Sequence, residues 1–207
     1  MDLFSNLELD NKEKNITNYE LPNANIKLIE SFLSPNESNK AMDSLINTVQ
    51  WQQDYIKMYG KQIPLPRLTA WYGDSGREYS YSGIPMKPHP WNDELLKIKN
   101  LIEAECESKF SSVLLNLYRD GSDSVSWHQD DEKELGQNPT IASLSLGEAR
   151  KFQLKHIHDE NLKEALNLTN GSLLVMKGET QHFWKHQIPK TKKKIGQRLN
   201  LTFRLIK

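Results

Sequence analysis

Within the stretch "QRLNLTFRLIK", residues 197–207, polar and apolar side chains alternate from Arg198 to Leu205. In an extended strand, Arg198, Asn200, Thr202 and Arg204 share one face, and Leu199, Leu201, Phe203 and Leu205 share the other. The leucine and phenylalanine face must pack in a core. The polar face has two readings: it is solvated and carries no message, or it lines the interior of a barrel. Two guanidinium groups inside a barrel need anionic partners, and a small dicarboxylate supplies one charge to each.

Working outward, "LLNLYRDG" (114–121) repeats the pattern, with Asn116 and Tyr118 on one face and Leu115 and Leu117 on the other. An amide and a phenol suit hydrogen bonding to a carboxylate. Short strand-like runs fill the C-terminal half: 112–119, 140–147, 150–157, 171–178, 182–189 and 198–206, separated by Gly, Pro, Asn or charged turns. Ahead of them lie two helical patterns. In "SPNESNKAMDSLINTV" (34–49), Ser34 can cap, Pro35 suits the first helical position and Glu37 completes a capping box, followed by the apolar stripe Met42, Leu45, Ile46 and Val49. In 92–110, Asn92 caps, Asp93 and Glu94 favour the positive end, and Leu95, Ile98 and Ile102 share a face. Both read as packing elements. Helices followed by many short strands predict a mainly β, α+β chain: a helix-buttressed sandwich or jelly roll, not a βαβ fold.

The bulk numbers set limits. The chain has 207 residues with 27 basic and 27 acidic side chains, and its 5 Trp, 7 Tyr and 6 Phe suffice to fill a core. Balanced charge argues against a strongly salt-dependent nucleic-acid coat protein, although "PKTKKKIGQR" (189–198) is either a local basic face or a solvated loop. The single Cys106 fits a reducing compartment, and the polar start resembles no secretory signal, so a cytoplasmic protein (nuclear in a eukaryote) is expected. Residues 1–20 read as a loose tail and 21–207 as a single, monomeric domain, with 21–111 as its support and 112–207 as its catalytic core.

"SDSVSWHQDDEKELG" (122–136) holds His128 and Asp130 two residues apart. In an extended segment both side chains point the same way and can meet one cation. The best-placed third ligand is His186 in a later strand. Two histidines and a carboxylate leave coordination positions open, as in non-haem Fe(II) oxygenases, although zinc accepts the same ligands.

Together "LLNLYRDG", "WHQDDE", "IASLSLG", "GSLLVM", His186 and "RLNLTFR" resemble the AlkB family of Fe(II)- and 2-oxoglutarate-dependent dioxygenases, over roughly residues 55–207. "PRLTAWYGD" (66–74) and "YSYSG" (79–83) are similar to its nucleic-acid repair branch. The resemblance implies a double-stranded β-helix in which His128, Asp130 and His186 bind Fe(II). It assigns Arg198 to the far carboxylate of 2-oxoglutarate, helped by Tyr118 and Asn200, and places Arg204 and Asn116 by the metal-chelating carboxylate. The reaction it implies consumes O2 and 2-oxoglutarate and hydroxylates an N-alkyl carbon. Formaldehyde and the repaired base are released, with 1-methyladenine and 3-methylcytosine as the type substrates.

A methylated base must be flipped or unpaired to reach such a site, and aromatic faces hold it there. By resemblance Tyr79 and Tyr81 lie along the base pocket, with Trp71 and Arg67 nearby, and Glu132 meets the cationic base. Core packing is the plain alternative for Trp71 and Tyr72. "KMYGKQIPLPR" (57–67) resembles the hairpin that duplex-acting members insert, with Met58 and Tyr59 as the wedge. Other segments look closer to members that prefer single strands and RNA. Alkylated DNA, with single strands at least as good, is the expected substrate. The alternatives are an oxygenase acting on RNA or a protein side chain, and a jelly-roll binding module whose metal is structural or absent.

Overall fold

Ser34 starts the first helix as its sequence predicts. In the computed structural model, which describes residues 15–58, 60–76, 79–81, 84–86 and 88–207, α1 spans Pro35–Thr48. The Ser34 hydroxyl accepts from the Glu37 backbone N–H at 3.3 Å, and Glu37 Oε2 accepts from the Ser34 N–H at 2.8 Å. The second helix, α2 (Asp93–Cys106), is capped by Asn92, whose Oδ1 accepts from the Leu95 N–H at 2.8 Å. It stops short of the expected residue 110 because Glu107 turns left-handed, with φ 49°. Glu103 then takes the Phe110 N–H at 2.8 Å and folds the chain back. A single helical turn, α3 (Thr180–Phe183), occupies the start of what reads as a strand at 182–189.

The large sheet has seven strands. In chain order they are β1 (Ile16–Tyr19), β2 (Asn25–Ile29), β5 (Leu68–Gly73), β8 (Ser112–Tyr118), β10 (Ile141–Gly147), β13 (Leu173–Lys177) and β15 (Arg198–Arg204). Their spatial order is β1-β2-β13-β10-β15-β8-β5, and every pairing is antiparallel. β1 lies within the segment read as a tail. A four-stranded sheet has the order β12-β11-β14-β9, from β9 (Val125–His128), β11 (Arg150–His156), β12 (Lys163–Leu168) and β14 (Trp184–Ile188). Two hairpins complete the set: β3 (Tyr55–Met58) with β4 (Lys61–Pro64), and β6 (Tyr79–Tyr81) with β7 (Ile84–Met86).

The α+β reading holds, but the closed jelly roll, or double-stranded β-helix, is corrected. Among the described residues no strand pairing joins the two sheets, and each ends in strands with only one partner. Side-chain packing holds the two layers together instead.

The large sheet is covered on both faces. On one, Val113, Leu115, Leu144, Leu199, Leu201 and Phe203 join Leu45, Leu95, Ile98 and Ile102 of the helices in one apolar cluster. On the other, Leu114, Tyr118, Leu174 and Met176 meet Phe152, Leu154, Trp184 and Ile188 of the small sheet. This settles the two readings of the polar face: Arg198, Asn200, Thr202 and Arg204 are all buried, at 1–7% exposure, between the sheets. Leu205, past the strand, is exposed.

Candidate metal centre and co-substrate pocket

His128 ends β9 and pairs in register with His186 of β14, so both imidazoles leave the small sheet on its inner face. Their ring centroids are 4.2 Å apart. Asp130 lies past the end of β9, where Gln181 of α3 holds it: the Asp130 N–H donates to Gln181 Oε1 at 2.9 Å. The Gln129 side chain donates to the Gln181 carbonyl at 2.7 Å. One ligand atom from each of His128, Asp130 and His186 lies within 4.8 Å of the others.

The surroundings set each ligand's state. Nδ1 of His128 lies 2.8 Å from the Ser126 carbonyl, which can only accept; Nδ1 is therefore the donor, and Nε2 is left for a metal. His186 is buried and stacked on Phe152 at 5.1 Å. Burial, with a smaller push from His128, lowers its pKa to about 3 against the pull of Asp130, so the imidazole is neutral and ligand-ready. Burial pushes the Asp130 carboxyl up, but Arg204, His186 and His128 outweigh it and hold the group below its ordinary value as a carboxylate. Arg204 Nη2 donates to Asp130 Oδ1 at 2.7 Å, while Oδ2 faces His186 Nε2 at 4.0 Å.

Arg198 starts β15 opposite Tyr118 of β8 and Gly147 of β10. Its Nη2 donates to Ser145 Oγ at 2.9 Å, and its guanidinium lies over the Tyr118 ring at 5.2 Å. Nε and Nη1 are buried without a hydrogen-bond partner. Burial lowers its pKa to about 10. Asn200 is engaged within the wall, donating to Ser143 Oγ at 2.8 Å and the Leu144 carbonyl at 3.1 Å. Asn116 accepts from Arg67 Nε at 2.7 Å. One pocket between the sheets is lined by the triad together with Arg67, Asn116, Tyr118, Arg198, Asn200, Thr202 and Arg204.

The residues of the pocket fit the implied groups. Two imidazoles and one carboxylate with a free oxygen form a facial donor set that suits Fe(II). The two open N–H directions of Arg198 match one end of a dicarboxylate. Arg204, expected beside the metal-side carboxylate, has Asp130 as its anion.

The residues expected to meet substrate divide. Arg67 reaches the pocket. Trp71 is buried in the core cluster between the sheets, and Tyr72 packs on the helix side, its hydroxyl accepting from the Gln50 N–H at 3.1 Å. Glu132 is half-buried two residues beyond Asp130, and Asp131 is exposed. Tyr59 and the side chains of Met58, Tyr79 and Tyr81 lie outside the described residues. Lys192, Lys193 and Lys194 are exposed between β14 and β15.

Gln181, Ser143, Ser145 and Arg150 escaped the sequence reading. The serines had a usable signal: in "IASLSLG" they alternate with Leu144 and Leu146, as the polar residues of β15 do with its leucines. For Gln181 and Arg150 the chain offers no local cue.

Comparison with known proteins agrees with this geometry. The profile of the 2OG-Fe(II) oxygenase superfamily matches residues 25–204. The bovine alpha-ketoglutarate-dependent dioxygenase alkB homolog 3 is 40% identical over 190 residues, spanning 86% of this chain and 65% of the relative. The human DNA oxidative demethylase ALKBH2 is 37% identical over 158 residues, 73% of this chain and 60% of the relative. The chain thus spans less than two thirds of the length of these relatives. The solved structure of OsALKBH1 superposes with a TM-score of 0.65 at 20% identity, covering 90% of this chain and 99% of that one, a likeness of fold. No described helix is long and apolar enough to cross a membrane. A profile match across most of the chain, with the triad and Arg198 in one pocket, places the chain in the 2OG-Fe(II) oxygenase superfamily, in its AlkB-like branch.

Proposed function

We propose that this protein is an Fe(II)- and 2-oxoglutarate-dependent dioxygenase that removes N-linked alkyl groups from nucleobases, 1-methyladenine and 3-methylcytosine among them. DNA is its first substrate and RNA the alternative. The observation that carries the reading is the shared pocket: a two-histidine, one-carboxylate cluster facing the same cavity as Arg198, whose Nε and Nη1 are open. The similarity to a dioxygenase and a DNA oxidative demethylase supports it.

His128, Asp130 and His186 would hold the iron, and Arg198 with Tyr118 would hold the far carboxylate of 2-oxoglutarate. When bound, that pair supplies the oxidising chemistry: O2 and 2-oxoglutarate give succinate and carbon dioxide, and the alkyl carbon leaves as formaldehyde. The protein's part is placement. Arg204 fixes the Asp130 carboxylate, Gln181 fixes its backbone, and the Ser126 carbonyl orients His128. Leu114, Phe152, Met176 and Ile188 give the pocket apolar walls that limit water.

The test is incubation with Fe(II), ascorbate and 2-oxoglutarate plus oligonucleotides carrying 1-methyladenine or 3-methylcytosine, as single-strand DNA, duplex DNA and RNA. Mass spectrometry should show loss of a methyl group from DNA. Consumption of 2-oxoglutarate with no mass loss on any oligonucleotide would overturn the nucleic-acid assignment.

A further inference from the structure

Tyr118 lies beneath two buried arginines. Arg198 is 1% exposed and Arg150 is 3% exposed, and their guanidinium carbons sit 5.2 and 5.5 Å from the phenol ring centroid. Each contact is a cation–π arrangement, and two on one ring concentrate positive charge at one end of the pocket. Arg150 opens β11 and binds only carbonyls: Nη1 donates to Asp120 at 3.2 Å, and Nη2 donates to Asp123 at 2.8 Å and Pro189 at 2.7 Å. The neighbouring carboxylates are engaged elsewhere. Asp123 receives Arg119 Nε and Nη2 at 2.8 and 2.9 Å, and Asp120 receives Ser122. Among the described residues, neither Arg150 nor Arg198 has a carboxylate in hydrogen-bond reach.

Burying one unpaired guanidinium is costly, and burying two beside each other is costlier. The three carbonyls of Arg150 come from the turn after β8 and the end of β14, so the same side chain ties down the two segments that flank Tyr118 and lead into β15. Burial lowers the pKa of both groups, and the charge of Arg150 adds to the lowering at Arg198. An anion at this end relieves both at once.

We propose that Arg150 is a positioning and specificity residue for the co-substrate. It steadies Tyr118 and supplies a second buried positive charge, so that this end of the pocket selects a carboxylate over a neutral terminus. The proposal rests on the reading that 2-oxoglutarate occupies the pocket. Arg150 makes no hydrogen bond to the dicarboxylate; it acts through Tyr118 and through its field on Arg198.

The test is calorimetric titration of the Zn(II)-loaded protein with 2-oxoglutarate and with its 5-amide, 2-oxoglutaramate, which keeps the chelating end and loses the far charge. Wild-type protein should prefer 2-oxoglutarate. Arg150→Met should weaken 2-oxoglutarate about tenfold and leave the amide nearly unchanged, since the buried charge acts on the anion alone. Arg150→Lys, which keeps the charge but not the fan of hydrogen bonds, should recover most of the preference, and Arg150→Gln, which removes the charge but keeps a hydrogen-bonding amide, serves if the Met variant does not fold. Equal weakening of both ligands in the charge-removing variant, or no change in either ligand there, would overturn the assignment. Wild-type protein that binds 2-oxoglutarate without preferring it sinks the inference alone. Failure to bind either ligand sinks the co-substrate reading together with it.

Discussion

Arg204 holds one oxygen of Asp130 at 2.7 Å and leaves the other facing His186. The last arginine of β15 thus stabilises Asp130 as a carboxylate and fixes which oxygen it presents to the histidines. Arg204→Met should weaken Mn(II) binding, measured by electron paramagnetic resonance, by about 10–100-fold, the usual loss when a metal ligand's supporting partner is removed. It should also destabilise the fold by about 3–5 kcal/mol, because Asp130 stays buried without its partner. Unchanged Mn(II) affinity would separate Arg204 from the metal site.

The ligand itself gives a sharper variant. Asp130→Asn keeps the shape of the side chain but removes the charge a metal needs. It should abolish turnover and Mn(II) binding while circular dichroism stays at the wild-type signal. Retained metal binding would refute the ligand assignment.

Glu103 controls acid stability away from the site. Burial raises its pKa, but hydrogen bonds from Lys109, Lys99 and the Phe110 N–H carry it from the ordinary 4.5 down to about 2. A carboxyl depressed on folding contributes stability above its unfolded value, and that contribution is lost as pH falls through the folded value. The window therefore runs from about 4.5 down to about 2. Because Lys109 is largely exposed, Glu103→Gln should cost only about 1–2 kcal/mol at pH 7 in urea unfolding. The gap from wild type should close as pH falls through that window. A gap independent of pH would show that packing, not charge, is responsible.

Cys106 ends α2 in the helix-side core, and burial pushes its thiol up to about 11. Thiolate is the reactive form, so a thiol-specific reagent at pH 8 should label the native protein far more slowly than the urea-unfolded chain. Equal rates would contradict the burial.

Gly147 ends β10 with φ 82°, in register with Arg198. A Cβ there would meet the Gln197 carbonyl oxygen at 2.5 Å, backbone that cannot swing aside. Gly147→Ala should lower stability by about 2 kcal/mol and weaken 2-oxoglutarate binding, because the strain falls on Gln197, whose peptide bond leads directly into Arg198. Loss of stability with unchanged affinity would uncouple that turn from the pocket.

What could be read in advance followed from local signals. The capping box at Ser34 and Glu37, the Asn92 cap and the alternation in β8 and β15 need only neighbours in sequence. Other elements depended on remote partners. β12, "KEALNL", is built from good helix formers and is a strand because it pairs along β11. Alternation along the strands pointed to layered sheets, but whether their edges pair into a closed barrel depends on contacts remote in sequence, and there the closed jelly roll was wrongly expected. His128 and Asp130 were legible from their spacing, and His186 from its residue type on a later strand together with the family resemblance. Gln181 and Arg150 were not: their contacts lie 51 residues from Asp130 and between 27 and 39 from the carbonyls of Asp120, Asp123 and Pro189.

β15 follows every other described strand in the chain, yet sits inside the large sheet between β10 and β8. During synthesis from the N-terminus, the two histidines and the aspartate emerge before either arginine of that strand. Until β15 slots into the gap, Asp130 lacks Arg204, and the Arg198 end of the pocket does not exist. Order of emergence thus ties the electrostatic completion of the pocket to the insertion of β15, after both histidines and the aspartate have been synthesised.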